Sequence, residues 1–263
     1  GLVARVGVAE DRDLGVTCVN VGCVPKKLFV YASHYGEGFE AARGFGWNVQ
    51  GATHDWPTLR ANKDAEISRL NGIYQRLIEG AGAEIVYGRA VFEDPHTLRV
   101  GDRRITADRI VVASGSWPYV PDIPGREHVI TSNEAFHLDR LPRRVLVVGG
   151  GYIAVEFAGI YRGLGVETEL AYRGPLFLRG FDDGVRRFVA GELEKKDIRL
   201  RFGMNPSRVD RRPDGSLMVT FEDGEASAYD LVMYATGRRP RTEGLNLEAA
   251  GVRTGANGAV EVD

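Results

Sequence analysis

Two cysteines, Cys18 and Cys23, are the residues of this chain best suited to reactive chemistry, and the sequence contains no others. The thiolate is the reactive form of cysteine, and it is favoured at a helix N-terminus and beside cations. Pro25 is tolerated in a first helical turn, so a helix is predicted with Cys23 at its start and Lys26 and Lys27 beside it. This pattern indicates a pair that cycles between dithiol and disulfide.

The two cysteines have three other possible roles: a structural disulfide, a zinc site, or a pair of inert buried thiols. A structural disulfide is typical of secreted proteins, but no signal-peptide pattern and no further cysteine accompany the pair. A zinc site needs four ligands, and neither a second cysteine pair nor a nearby histidine pair supplies them, so we expect no metal. Two inert buried thiols are the third interpretation.

A glycine-rich turn is the second feature with a chemical meaning. Residues 149–154 read Gly-Gly-Gly-Tyr-Ile-Ala and fit the pattern G-x-G-x-x-A between a predicted strand and a predicted helix. Gly149 permits the tight turn, and Gly151 lets backbone amides reach a pyrophosphate at the helix N-terminus. The alternative is a glycine turn that binds no ligand.

The end of the next strand bears on the choice of nicotinamide cofactor. An enzyme that uses NAD places Asp or Glu there to hold the ribose hydroxyls. Here the position is taken by Tyr172, followed by Arg173 and later by Arg179. Guanidinium groups can bind a 2′-phosphate in bidentate fashion, so the sequence favours NADPH. Two solvated surface arginines are the alternative.

Alternating strands and helices must position these residues, and the alternation predicts an α/β fold with parallel sheets. A strand is expected within residues 1–10, ending on Glu10. Further strands are expected at Glu84–Tyr87, Thr97–Val100, Arg109–Ala113, Arg144–Val148 and Val166–Arg173. Helices are expected from Pro25 to about Phe39, Thr58–Glu79, Tyr152–Gly163 and Gly184–Lys196, and a hairpin around Asp223-Gly224 joins Leu217–Phe221 to Tyr229–Ala235. In the second helix an apolar face is predicted to comprise Ile67, Leu70, Tyr74, Leu77 and Ile78.

Composition limits the classes of partner. The 263 residues carry 34 Lys+Arg and 36 Asp+Glu, which argues against a nucleic-acid binder that holds phosphates by bulk charge. Apolar runs are too short to span a membrane. Glycine makes up 34 of the residues, about twice the usual share of roughly 7%, which suits a fold that brings its backbone close to ligands. A proline-rich joint at 117–125 indicates a connection between domains.

The segment Thr17-Cys18-Val19-Asn20-Val21-Gly22-Cys23-Val24-Pro25-Lys26-Lys27 resembles the active-site segment of the class I pyridine nucleotide–disulfide oxidoreductases. Its Val-Pro-Lys-Lys ending is similar to the glutathione-reducing branch of that family. Residues 69–75, 151–156 and 178–182 strengthen the resemblance, which covers essentially the whole chain. Trypanothione and large thioredoxin reductases share the cysteine segment and remain alternatives.

The resemblance implies two Rossmann-like FAD/NAD(P)-binding units of three-layer β/β/α type with a small antiparallel meander. It also implies FAD and NADPH as cofactors, glutathione disulfide as substrate, and hydride transfer from NADPH to FAD. Cys23 would face the flavin as the charge-transfer thiolate, and Cys18 would attack the substrate disulfide. Lys26 would pair with Glu156 beside the flavin, and Tyr152 would cover the nicotinamide pocket.

The resemblance further implies a set of binding residues. Toward FAD it assigns Glu10, Thr17 and Ala90, and toward NADPH it assigns Gly150, Ile153, Glu156, Arg173, Arg179 and Gly237. The other residues expected to contact a cofactor are Cys18, Lys26, Gly115, Gly149, Gly151 and Arg238. Tyr74 would touch glutathione, with a place in the core of its helix as the alternative. Ala90 could equally be simple packing.

The resemblance also sets expectations for the organisation of the protein. Residues 1–118 would form an FAD domain that lacks its N-terminal part, residues 119–240 the NADPH domain, and residues 241–263 a return to the FAD and central domains. A dimerisation domain with its acid–base histidine would be absent from this chain, and the full-length protein would be a cytoplasmic homodimer. The other hypothesis is a nucleotide-binding fragment that cannot complete catalysis. Val16 and Ser114 depart from the usual Gly and Thr.

Overall fold

The computed structural model describes residues 4–262. In the first part of the chain the elements are β1 (Gly7–Glu10), α1 (Val16–Val21), α2 (Cys23–Arg43), α3 (Trp56–Gly80), β2 (Glu84–Tyr87), β3 (Ala90–Asp94), β4 (Thr97–Val100), β5 (Arg103–Thr106) and β6 (Ser116–Pro118). They continue with α4 (Ser132–Ala135), β7 (Arg144–Val148), α5 (Tyr152–Gly163), β8 (Glu167–Tyr172), α6 (Asp183–Lys195), β9 (Arg199–Phe202), β10 (Pro206–Arg211), β11 (Leu217–Phe221), β12 (Ala226–Tyr229), β13 (Leu231–Tyr234) and β14 (Arg238–Pro240).

These elements form two units, each with its own core. Unit 1 comprises residues 4–20, 64–117 and 238–262, and unit 2 comprises residues 21–63 and 118–237. The predicted mixed α/β class with parallel sheets, helices and antiparallel meanders is confirmed. Within residues 4–262, no helix has the length and apolar character that crossing a membrane requires.

A four-stranded parallel sheet with the order β13-β7-β8-β9 is the centre of unit 2. Its strand β7 is a run of β-branched and leucine side chains, which suits a strand buried on both faces. Val145 and Val147 face the core that includes α5, whereas Leu146 and Val148 face the opposite core. The first and second strands in chain order are joined through α5, and the second and third through α6, as in a doubly wound fold.

The second face of this sheet is covered by the antiparallel meander β10-β11-β12. Val219 and Phe221 of β11 are buried with Leu146 and Val148 of β7 in one cluster. Helix, parallel sheet and meander therefore make three layers, the β/β/α arrangement expected of a dinucleotide-binding unit.

Helices α2 and α5 pack closely on the other face. At Gly163 an added Cβ would lie 2.5 Å from the backbone oxygen of Ser33 and 2.8 Å from its Cβ, so the two helices approach too closely there for α5 to carry a side chain. Phe29 of α2 packs its ring 5.0 Å from that of Trp56, which begins α3. The indole N–H of Trp56 donates to the carbonyl of Leu138 at 2.7 Å, which fixes this end of α3.

Unit 1 is built from smaller sheets. Its β1 and β2 pair in parallel, and β3-β4-β5 form an antiparallel meander. Phe92 of β3 is buried with Leu245 and Leu247 from the last segment of the unit. The amide of Phe92 donates to the carbonyl of Leu245 at 2.9 Å, which ties this last segment to the meander.

Two of the predicted strands are corrected. Residues 109–113 form no strand, because no neighbouring segment within residues 4–262 pairs with them, and Val111 is 86% exposed. The hairpin partner of β11 is β12, whereas Leu231–Tyr234 joins the parallel sheet beside β7. Asp230 separates the two strands: its carboxylate accepts from the amides of Arg143 and Arg144 and so turns the chain into the sheet.

On the predicted apolar face of α3, Ile67, Leu70 and Ile78 are half-buried, whereas Tyr74 is 39% and Leu77 62% exposed. The residues of α3 that are buried are Trp56 and Lys63, in its first half. The expected strand within residues 1–10 is Gly7–Glu10, and the part of the prediction at residues 1–3 lies outside the described residues.

Candidate redox and dinucleotide-binding site

The glycine turn follows β7 directly and leads into α5. Gly149 has φ +145°, and an added Cβ would lie 2.3 Å from the carbonyl oxygen of Ala235, so only glycine fits between the ends of β7 and β13. These two strands are where the sheet order reverses, and open α/β sheets bind ligands outside such a switch point. At Gly150 an added Cβ would overlap the ring of Tyr172.

Gly151 differs from its two neighbours, because a Cβ there would meet nothing within 4 Å. Packing within the protein therefore explains Gly149 and Gly150 and leaves Gly151 unexplained. Gly151 is also the N-cap of α5, and no side chain caps the amides of the first turn there. A phosphate group fits this cradle, since helix N-termini bind anions through such amides.

The first two residues of α5 have different environments. Tyr152 is 60% exposed, in keeping with a side chain that can move over a ligand. Ile153 packs partly buried against the core of unit 2.

The predicted phosphate-binding arginines follow β8 in the same unit. Arg173 and Arg179 are exposed, and within residues 4–262 neither makes an ion pair or a hydrogen bond. Tyr172 lies against Gly150 and Gly174, so its ring occupies the strand end where an NAD enzyme places a carboxylate. The end of β8 at Tyr172 therefore has near it in sequence two guanidinium groups that are unpaired within the described part of the chain, and no carboxylate at the position where an NAD enzyme has one.

An ion pair joins α2 to α5. The Nζ of Lys26 donates to Oε1 of Glu156 at 2.8 Å, and the two side chains are 24% and 33% exposed. These residues lie far apart in sequence and come together because α2 packs along α5. The pair that the resemblance implied is therefore present in the structure.

The cysteines lie at a helix junction. Cys18 is inside α1, Cys23 is the first residue of α2, and both side chains are exposed. The inert buried pair is thus excluded. The side-chain amide of Asn20 donates to the carbonyls of Leu14 and Val16 at 3.0 and 2.9 Å, which closes the turn before α1. Within residues 4–262 no cluster of three or more His, Cys, Asp or Glu side chains is arranged for a metal ion.

Glu10, Thr17 and Ala90, which are predicted to contact FAD, lie in unit 1. Glu10 ends β1, and its Oε1 accepts from the amide of Arg12 at 2.9 Å. Within residues 4–262 its second carboxylate oxygen accepts no hydrogen bond, so it is available to a hydroxyl group. Thr17 is exposed in α1, and Ala90 is half-buried at the start of β3.

The short strands β6 and β14 pair with each other, and each follows a glycine, Gly115 or Gly237. Gly115 and Gly237 have positive φ, and the carbonyl of Gly237 accepts from the amide of Tyr119 at 2.9 Å. The guanidinium of Arg238 donates to the hydroxyl of Ser116 at 2.9 Å and to its carbonyl at 2.5 Å.

Tyr74 projects from α3 with 39% of its surface exposed. This excludes the alternative in which the side chain belongs to the core, and leaves its ring available to a substrate.

Comparison with known proteins decides the family. The sequence profile of the pyridine nucleotide-disulphide oxidoreductases matches residues 3–263. The chain belongs to this family.

Several curated relatives from this oxidoreductase family align with nearly the whole chain. It is 48% identical to the glutathione reductase of Burkholderia cepacia over 260 residues, which cover 99% of the chain and 58% of that protein. Glutathione reductase of Pisum sativum is 43% identical, with 97% of the chain and 47% of the relative covered. Trypanothione reductase of Leishmania donovani is 43% identical over 95% of the chain and 54% of its own length. The chain thus spans about half the length of these relatives.

Among solved structures of flavoprotein disulfide reductases, the HOCl-induced enzyme RclA of Escherichia coli superimposes with a TM-score of 0.87 at 26% identity. The superposition covers 99% of this chain and 57% of that one. The likeness extends over both units.

One cluster of charged side chains in this oxidoreductase was not predicted from the sequence. It comprises Asp11, Arg89 and Arg241, and we call it the Asp11 clamp. Partial burial raises the pKa of Asp11, but hydrogen bonds from Arg241 and Arg89 outweigh it, so the pKa lies below its ordinary value. The acidic pair at positions 10 and 11, at the end of a strand, was the available signal. The arginine partners come from distant segments and could not be read from it.

Proposed function

We propose that this chain carries the NADPH site, the FAD residues and the redox cysteines of a flavin-dependent disulfide reductase whose substrate is glutathione disulfide. The observation that carries the proposal is the Lys26–Glu156 ion pair one helical turn after Cys23, in a chain of this family. The same proposal includes the domain division expected from the sequence, at 1–118, 119–240 and 241–263. It also includes a cytoplasmic location and a homodimeric full-length protein.

The residues present fit a phosphorylated dinucleotide. The open cradle at Gly151 would hold the pyrophosphate, and the exposed guanidiniums of Arg173 and Arg179 would bind a 2′-phosphate. Tyr152, at the start of the same helix, would move aside as the nicotinamide enters. These assignments support NADPH over NADH, because no carboxylate stands at the end of β8 to repel the phosphate.

The residues present also fit a flavin dinucleotide. The available oxygen of Glu10 would accept from the adenosine ribose, with Thr17 and Ala90 against the same ligand, and the Lys26–Glu156 pair would orient its redox ring. Bound FAD would supply two-electron transfer between the nicotinamide and the cysteine pair.

The cysteines would perform the exchange. The Cys18 thiolate attacks one sulfur of glutathione disulfide, forms a mixed disulfide and releases the first glutathione as a thiolate, which takes up a proton. The Cys23 thiolate then attacks Cys18 Sγ, releases the second glutathione and leaves a Cys18–Cys23 disulfide. The second glutathione also leaves as a thiolate and takes up a proton, and two electrons return the Cys18–Cys23 disulfide to the two thiolates. Exposure of both side chains is a requirement of this sequence.

The choice of glutathione disulfide is supported by the glutathione reductases among the relatives. Trypanothione disulfide is the second candidate, because a trypanothione reductase is 43% identical over 95% of the chain. The exposed ring of Tyr74 is compatible with either substrate, since both contain glutathionyl groups.

The test is NADPH oxidation by the full chain, measured in parallel with glutathione disulfide, trypanothione disulfide and thioredoxin. We expect turnover that favours glutathione disulfide, and the visible absorbance of a bound flavin. Preference for one of the other two would contradict the substrate assignment, and a colourless protein that never oxidises NADPH would contradict the activity.

A cysteine variant tests the division of roles. Cys18→Ser should abolish disulfide turnover, because no thiolate remains to attack the substrate, while NADPH still bleaches the flavin absorbance. Turnover retained by this variant would refute the role of Cys18.

A further inference from the structure

The Asp11 clamp joins three segments of unit 1 that are remote in sequence. Arg241 grips Asp11 in bidentate fashion, with Nη1 3.1 Å from Oδ1 and Nη2 2.9 Å from Oδ2. Arg89 donates from Nη1 to Oδ2 at 3.1 Å and from Nη2 to the carbonyl of Glu243 at 2.5 Å. The residue after β1 is thus tied to the turn between β2 and β3 and to the segment after β14.

The clamp is better shielded than an ordinary surface pair of the same unit. Its side chains are 20% exposed at Asp11, 29% at Arg241 and 34% at Arg89. Glu84 and Arg103 form a simple pair at 2.8 Å with side chains 63% and 57% exposed. Charge-assisted bidentate bonds that are partly shielded from water are stronger and more directional than exposed ones.

The clamp brackets Glu10. The backbone carbonyl of Glu10 accepts from the amide of Gly88, which precedes Arg89, at 2.9 Å. Its carboxylate accepts from the amide of Arg12, which follows Asp11. Glu10 is therefore held by Gly88 and Arg12, which are the chain neighbours of Arg89 and Asp11. Fixing Asp11 against Arg89 restrains both of these contacts.

A tryptophan completes the arrangement. The guanidinium of Arg12 lies 4.5 Å from the centre of the Trp117 ring, and that of Arg241 lies 5.3 Å from the same ring. Arg241 thus contacts both Asp11 and the Trp117 ring, which Arg12 also contacts. Both ends of the Asp11–Arg12 dipeptide are constrained by one residue from the end of the unit.

We propose that the Asp11 clamp is a positioning device that aims the available oxygen of Glu10 at the hydroxyls of the adenosine ribose of the flavin. The inference rests on the proposed function, in which Glu10 binds that ribose. Asp11, Arg89 and Arg241 are positioning residues and touch no ligand. A clamp that only tied segments together would stabilise the unit without changing how the protein distinguishes ligands with and without ribose hydroxyls.

The experiment uses the apoprotein of the full chain and titrates two ligands by flavin fluorescence. One ligand is FAD, and the other is FAD whose adenosine ribose lacks the 2′- and 3′-hydroxyls. A hydrogen bond to a charged group is worth roughly tenfold or more in affinity, so the parent protein should prefer FAD by about that factor. In Asp11→Asn and in Arg241→Lys, which cannot form the bidentate pair, the preference should fall below about threefold.

Glu84→Gln is the matched control, because it removes an ion pair from the strand beside β1 and leaves the clamp intact. It should keep the parent preference. Arg241→Lys retains the positive charge and gives the answer even where Asp11→Asn fails to fold.

The possible outcomes separate the two claims. Variants that melt at lower temperature but keep the parent's preference for FAD would overturn the clamp inference and leave the proposed function intact. A parent protein that binds both ligands equally would overturn the ribose contact of Glu10 and the clamp inference together. A parent protein that binds no flavin would overturn the proposed function itself.

Discussion

At the scale of single residues, Arg173 and Arg179 bear the proposed selectivity for NADPH. Both are exposed, and neither has an ionic partner within residues 4–262. Arginines held in ion pairs would have to break those pairs to bind a phosphate, whereas these two are available.

The double variant Arg173→Ala with Arg179→Ala should lower NADPH affinity by roughly ten- to a hundredfold, the usual worth of charged hydrogen bonds. NADH affinity should change by less than about threefold, because NADH has no 2′-phosphate. Binding can be measured by nicotinamide fluorescence.

Arg187→Ala is the control, since Arg187 lies exposed on α6 of the same unit. It should leave both affinities unchanged. Equal losses for NADPH and NADH in the double variant would show that the two arginines do not read the phosphate.

Val16 is a second residue with a measurable consequence. Its φ of +55° is in the left-handed region, where a β-branched side chain is strained, and its side chain is 63% exposed. A glycine at this position would adopt this conformation without strain.

Val16→Gly should raise the free energy of unfolding by about 1 kcal/mol, because relief of strain exceeds the extra chain entropy of glycine. Val16→Ala keeps a Cβ and should recover only part of that gain. Urea denaturation measures both, and a loss of stability in Val16→Gly would contradict the strain.

At the scale of elements, a buried carboxylate joins the parallel sheet to the meander in unit 2. Glu169 of β8 is 2% exposed and accepts from Nε of Arg201 at 2.8 Å, from the hydroxyl of Tyr229 at 2.9 Å and from Arg144. Burial raises the pKa of Glu169, but the hydrogen bonds of Arg144 and Tyr229 and the charge of Arg201 outweigh it, so the pKa lies below 4.5. Glu169 therefore remains ionised in the folded protein.

Glu169→Gln should lower the free energy of unfolding near pH 7 by roughly 1.5–3 kcal/mol, the usual worth of a hydrogen bond to a charged group, because Arg201 keeps Glu225 and Arg144 keeps Glu167 as partners. Since the folded pKa is depressed, the contribution of Glu169 is complete above 4.5 and is lost as the pH falls through the folded value. The difference between parent and variant should therefore shrink in acid. Denaturant unfolding from pH 7 to pH 3 measures it.

Glu167→Gln on the same strand is the matched control. Glu167 pairs with Arg144 at 3.0 Å, but its side chain is 67% exposed, so its loss should cost less than about 1 kcal/mol. A difference between parent and Glu169→Gln that does not depend on pH would contradict the ionised state of Glu169.

Elements with a clear local signal were predictable from the sequence. The apolar run of β7 and the glycine turn before α5 both gave the observed bounds. Residues 109–113 failed because an apolar run becomes a strand only beside a pairing partner, which a sequence window does not contain. The Asp11 clamp escaped for a similar reason, since a carboxylate finds its guanidinium partners through tertiary packing.

At the scale of the whole molecule, two units with separate cores should respond differently to a nucleotide. NADPH at a hundredfold excess over its dissociation constant would stabilise the unit that binds it by about 2.7 kcal/mol. We expect slower hydrogen exchange around residues 149–155 and 172–179 of unit 2, and unchanged exchange in the β3-β4-β5 meander of unit 1. Protection confined to the meander would contradict the assignment of NADPH to unit 2.

The packing of α2 along α5 has a consequence for mutational surveys. Lys26 and Ser33 are seven residues apart on α2, as are Glu156 and Gly163 on α5, so the ion pair and the close contact between Ser33 and Gly163 lie about 10 Å apart along both helices. A side chain at position 163 has no room unless the helices move apart, and we expect this movement to displace Lys26 from Glu156. A mutational screen for lost activity should therefore identify Gly163 together with the redox residues. The defect of its variants would be the separation of α2 from α5 about two helical turns away from the ion pair.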